Sequence, residues 1–139
     1  MELLERTFEE IKVGDEASFM RTFTDADVAA FSTLSGDENP LHTDPAYAAS
    51  TPFQKPVVHG MLVASLFSAL LGMRIPGKQC LLITESVSFR KPVYAGEELT
   101  ITGVVSLKSE STRILEITLT ALRGGEEVAN GTASVQVRA

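Results

Sequence analysis

An aspartate and a histidine stand five residues apart in the string Ser35-Gly36-Asp37-Glu38-Asn39-Pro40-Leu41-His42, and a second string, His59-Gly60-Met61-Leu62, begins seventeen residues after His42. A carboxylate and an imidazole in a segment bounded by glycine and proline read as a tight loop carrying two proton-handling groups. Gly60 opens a strongly apolar stretch, where a helix would begin. Its amide would be a donor without an intrahelical partner, backed by the helix dipole, and glycine lets a ligand approach the backbone closely. Groups that move a proton, beside a donor for a developing oxyanion, suit adding water to an activated acyl group or removing it.

Each residue also has a plainer role. Asp37 after Gly36 fits a turn or cap, and His42 a loop position. Taken with the second string, the pair reads as catalytic. Asn39 shapes the loop and can orient Asp37. His59 suits capping or packing at the helix start more than proton transfer. Ser68 either bonds back to a carbonyl one turn earlier or reaches the catalytic loop. Leu62, Phe67 and Leu71 are core positions that can also line an acyl pocket.

The elements that must position these groups follow from patterning. Asp15 to Phe23 is a weak strand. Thr24 is a helix N-cap with Asp27 three residues on, and Val28, Phe31 and Leu34 mark the apolar face of a helix ending at Gly36. Asp37–His42 follows as a loop, in which Pro40 keeps Asn39 extended. Asp44-Pro45 opens a helical turn through Ala49. From Pro56 to Met73 there is no Asp, Glu, Lys or Arg. The helix proper, Gly60 to Met73, is shorter than the ~20 residues a bilayer requires, and its apolar character all round predicts a helix wrapped by protein. Strands follow over Leu81–Phe89, Leu99–Leu107 (Leu99, Ile101, Gly103, Val105 and Leu107 on one face), Ile114–Leu122 and Glu127–Val137, with a hairpin turn at Gly124-Gly125. The pattern predicts an α+β fold, a curved antiparallel sheet wrapping one long apolar helix.

At 139 residues the chain is sized for a single domain, residues 1–139. A net charge of −6 argues against nucleic acid as a partner. The charge is unevenly spread. Residues 1–53 hold eleven acids and three bases, whereas residues 54–96 hold one acid and five bases, which suits an anionic handle on a ligand. One cysteine, Cys80, cannot pair internally, and two histidines with one cysteine match no structural zinc spacing. The acidic Met1–Arg6 segment lacks the apolar run of a signal peptide, so a cytoplasmic location is expected.

The strings Ser35–Asp44 and Val58–Leu62, with Ser65-Leu66-Phe67-Ser68 and Phe89-Arg90-Lys91-Pro92-Val93-Tyr94-Ala95-Gly96-Glu97, resemble the MaoC-like (R)-specific enoyl-CoA hydratases of the hot-dog hydratase/dehydratase family. The resemblance runs from about Phe8 onward. It implies a hot-dog fold with an overhanging catalytic loop segment, and a homodimer with its site near the interface. It implies reversible hydration of trans-2-enoyl-CoA to (R)-3-hydroxyacyl-CoA, with no metal and no organic cofactor. It puts the catalytic pair on Asp37 and His42, the carbonyl-binding amide on Gly60 and a supporting serine on Ser68. The competing enzyme is a hot-dog acyl-CoA thioesterase, using a carboxylate with the same helix N-terminus. A dehydratase acting on acyl carrier protein is a further alternative, against which the acidic net charge counts. A non-catalytic acyl-CoA-binding module gives no reason for two acid–base groups.

Overall fold

The computed structural model describes residues 1–139. Its elements are β1 (Glu16–Thr22), α1 (Asp25–Ser35), α2 (Pro40–Thr43), α3 (Pro45–Ala49), α4 (Gly60–Met73), β2 (Cys80–Phe89), β3 (Glu98–Ser109), β4 (Ile114–Arg123) and β5 (Glu126–Val137). The strands form one antiparallel sheet in the order β1-β3-β4-β5-β2, so β1 and β2 are its two edges. The sheet with its helices is the hot-dog fold the resemblance implied.

Period-two alternation builds the sheet's inner face. Leu99, Ile101, Gly103 and Val105 of β3 are buried, as are Leu115, Ile117, Leu119 and Ala121 of β4, with Ile101 opposite Ala121 and Gly103 opposite Leu119. Leu107 departs from the expected face and is exposed. A register shift between Val105 and Leu107 explains it, because one extra residue sends the next side chains to the opposite side. Gly124 and Gly125, both at positive φ, make the β4–β5 turn.

Against the inner face lies α4, with Leu62, Val63, Leu66, Phe67, Leu70 and Leu71 buried. Burying each such large side chain contributes roughly 1.5–3 kcal/mol. A Cβ at Gly103 would stand 2.7 Å from Leu70 Cδ2, so the glycine is what lets the helix seat on β3. The expectation that protein covers α4 on all sides is not met within one chain. Met61 is 65% exposed, and Ser65 and Ser68 are exposed with it, a stripe at helical spacing. No helix is long and apolar enough to cross a membrane.

Thr24 and Asp27 form a reciprocal capping box at α1: Asp27 N–H donates to Thr24 Oγ1 at 3.1 Å, and Thr24 N–H to Asp27 Oδ2 at 2.9 Å. The bond from Thr24 N–H holds the Asp27 carboxyl below its ordinary range. At its other end α1 stops at Gly36, whose φ is 81°. Its inner face is Val28, Phe31 and Ser32 rather than the expected Val28, Phe31 and Leu34. Leu34 is 86% exposed, at the rim of an open groove rather than in the core.

On β2, Glu85 is half-buried, and its Oε1 has no hydrogen-bond partner. Burial alone raises the affinity of this carboxyl for its proton. Burial likewise pushes the Cys80 thiol up to about 11, which leaves little thiolate at neutral pH.

Candidate active site

The loop between α1 and α2 is folded by its own side chains. Asp37 N–H donates to Ser35 Oγ, Asn39 N–H to Asp37 Oδ1 and Leu41 N–H to Asn39 Oδ1. Asn39 is thus the N-cap of α2, with Pro40 at the first helical position. His42, expected in a loop, lies on this single helical turn, and the turn aims its ring back toward Asp37.

His42 Nε2 stands 4.0 Å from Asp37 Oδ2; the histidine side chain is 15% exposed and the aspartate 51%. His42 Nδ1 lies 2.6 Å from Val57 O. A carbonyl only accepts, so Nδ1 carries a hydrogen, and in the neutral ring Nε2 faces Asp37 with a bare lone pair. That lone pair is a base, and the carboxylate across from it is an acceptor. The gap is too long for a direct hydrogen bond and suits one bridging water.

His59 precedes α4 and is buried, with 2% of its surface exposed. Its Nε2 lies 3.0 Å from Asp37 O and 3.1 Å from Ser32 Oγ. Its ring stacks on His42 with centroids 3.8 Å apart and planes at 24°, and the Phe31 ring meets it edge-on at 4.9 Å. His59 gives α4 no side-chain cap, which leaves the Gly60 N–H at the helix start without an acceptor in the helix. Phe89 of β2 flanks Gly60.

The carboxylate of Asp37 and the imidazoles of His42 and His59 each offer an atom within 4.8 Å of the others. His59 Nε2 is engaged with Asp37 O and Ser32 Oγ, and His42 Nδ1 with Val57 O. The arrangement suits proton transfer between two groups with a third supporting them.

The remaining expected residues fall outside this cluster. Ser68 stands on the exposed stripe of α4, two turns on from Gly60, and it is Ser65 whose hydroxyl bonds back, to Leu62 O. Phe67 and Leu71 are sealed in the core. Leu62 alone of the three pocket candidates borders an open groove, of about 340 Å³, beside Phe23, Phe31 and Leu66. A larger cleft of about 460 Å³, between Val28, Pro45, Pro56 and Ala95, reaches the cluster at His42. Sequence reasoning missed Val57, Ser32, Phe31 and Phe89. Val57 acts through a main-chain carbonyl, which has no residue-type signature. Ser32 had one readable sign, a hydroxyl on the inner face of α1 one turn before the capping glycine.

A family model for the MaoC like domain matches residues 9–124. The chain is 44% identical over 128 residues to the (R)-specific enoyl-CoA hydratase of Aeromonas caviae, covering 91% of this chain and 96% of that one. It is 34% identical over 130 residues to a 3-hydroxybutyryl-CoA dehydratase of Methylorubrum extorquens, covering 94% and 83%. The solved structure of the A. caviae (R)-hydratase involved in PHA biosynthesis superposes with a TM-score of 0.90, over 93% of this chain and 98% of that one.

Proposed function

Because this chain belongs to the MaoC-like domain family, we propose that it catalyses the reversible hydration of trans-2-enoyl-CoA to (R)-3-hydroxyacyl-CoA, with Asp37 and His42 as the proton-transfer pair and the Gly60 amide holding the thioester carbonyl. The observation that carries this reading is the pairing of His42 Nε2 with Asp37 Oδ2 across 4.0 Å, next to the uncapped start of α4.

A water between the two groups donates one hydrogen bond to His42 Nε2 and the other to the Asp37 carboxylate. As its oxygen bonds to C3 of the enoyl thioester, Nε2 takes the proton. The π electrons move toward the thioester oxygen, where the Gly60 N–H and the helix dipole stabilise the developing charge. A proton then returns from the pair to C2 and the carbonyl re-forms. One water is added across C2–C3, and dehydration runs the same steps backward. A proton delivered by the groups that received it arrives on the hydroxyl's face.

Coenzyme A carries phosphates, and the basic middle of the chain is suited to them; Lys55, its ammonium over the Tyr94 ring, is next to Pro56 at the wall of the larger cleft. We propose that the chain works as a single domain in a homodimer joined through β2. An edge strand with Leu81, Leu82 and Ile83 exposed offers both unpaired backbone and apolar surface. The cytoplasm is the location we favour, in keeping with a lone thiol.

Crotonyl-CoA tests the reaction. Loss of the enoyl chromophore with no free thiol is the expected result. Thiol release instead would make the chain a thioesterase, and binding without turnover would make it a carrier of acyl-CoA. Competition between crotonyl-CoA and crotonyl-acyl carrier protein decides the thioester carrier.

A further inference from the structure

We infer that His59 is a positioning residue that sets the distance between the proton-transfer pair and the carbonyl-binding amide, an inference that rests on the hydratase reading. Three attachments meet in this residue. Its side chain holds the main chain of Asp37, its ring face supports the ring of His42, and its own backbone leads into Gly60.

The hydrogen-bond partners determine the tautomer. Asp37 O can only accept, so the hydrogen of a neutral His59 is on Nε2. Ser32 Oγ, 3.1 Å from the same nitrogen, holds the ring from the α1 side. Nδ1 is then a bare acceptor, and it is buried with no donor in reach. An orphaned buried nitrogen is a liability that phenylalanine or leucine would not carry in the same space. What the imidazole provides and an apolar side chain does not is Nε2–H, directed at the loop.

The consequence is geometric. Asp37 and Gly60 lie on separate segments; the far end of the loop is tied to Val57 through Leu41 O and His42 Nδ1, but around Asp37 itself the side-chain bonds otherwise stay within the loop. The bond from His59 to Asp37 O is a short tie from that loop to the start of α4. Hydration needs water, base and carbonyl donor in one register, and a displacement near 1 Å can lower a rate on the order of 100-fold. His59 touches neither water nor substrate in this scheme. It acts through Asp37 and His42.

Two substitutions separate the donor from the ring. Gln at position 59 places an amide N–H near the site of Nε2 and removes the ring. Phe keeps the stack and removes the donor. His59→Gln is expected to retain kcat within about fivefold, and His59→Phe to lose on the order of 100-fold in kcat with KM changed less than about threefold. Wild-type kcat in His59→Phe, or an equal loss in both variants, would overturn the assignment. Two measurements need no turnover. In the wild-type protein at pH 8, ¹⁵N spectra should report His59 as the Nε2–H tautomer, and the Nδ1–H form would refute the tie. Amide exchange of residues 37–43 should quicken at least about tenfold in His59→Phe but not in His59→Gln. An inactive wild type with these signatures intact would sink the hydratase reading and leave the tie standing; if His59→Phe does not fold, the tautomer and the His59→Gln data still decide.

Discussion

The Phe89 ring lies so close to Gly60 that a Cβ added there would stand 3.1 Å from Phe89 Cε1. Strand β2 thereby limits what residue can begin α4, and the two together shape the mouth at which a thioester oxygen would meet the amide. Gly60→Ala is expected to lower kcat/KM by about 10- to 100-fold, less than the ~10²–10³ that follows outright loss of an oxyanion donor, since the N–H remains. Phe89→Ala in that background should relieve the contact and recover Tm without recovering rate. Full recovery of rate would mean that only crowding by Phe89 mattered.

Asp37→Asn and His42→Ala should each reduce kcat for crotonyl-CoA by about 10²–10⁴-fold. Tm should barely move for Asp37→Asn, because its side chain is half exposed. The double variant should be little worse than either single one if the two groups act as a unit on one water. Steady-state rates and thermal melts measure both. An Asp37→Asn protein with near-normal turnover would end the assignment.

The unpartnered carboxyl of Glu85 predicts a pH effect on stability whose sign can be worked out. Burial raises its folded pKa above that of the unfolded chain. Stability from this group is therefore fully present below the unfolded carboxylate range, near pH 4, and is lost as pH rises through the folded value. Glu85→Gln should raise Tm at pH 7 by roughly 1–4 °C and leave it unchanged at the lowest pH where the protein stays folded. An equal shift at both pH values would show that desolvation of the charge is not the cause.

Placing a charge on the exposed edge of β2 should separate the proposed dimer. Ile83, 49% exposed, is the test position. Ile83→Arg is expected to sediment as a monomer at concentrations where the wild type is a dimer, and to lose activity with its partner. A wild type that remains monomeric at all concentrations would remove the basis for this interface.

The helix from Gly60 to Met73 was legible from end to end, because glycine, an uncharged run and the change to polar residues bracket it. Thr24 and Asp27 announced their capping box, and strand alternation placed the sheet to within a residue or two. Leu107 was misjudged because a bulge depends on the partner strand's register, which local alternation does not encode. In the candidate site, residue type and spacing singled out Asp37 and His42, which the fold brings to 4.0 Å, and Gly60, which begins α4. The attachments of His42 to Val57 and of His59 to Ser32 and Asp37 were not legible, since they link residues 15 to 27 apart, two of them through main-chain carbonyls.

The order of the strands also sets a schedule. All the residues of the site lie between Phe31 and Phe89, yet β1 is hydrogen-bonded only to β3, and β2 only to β5. Even Phe8 donates its N–H to Ala139 O, the last residue. At a synthesis rate of roughly 5–20 residues per second, residues 98–139 take about 2–8 s to follow, and for that time the apolar face of α4 has no sheet to cover it. The nascent chain therefore exposes that face until β5 emerges, and a stop codon at the start of β5 is expected to undo a site from which it removes no residue.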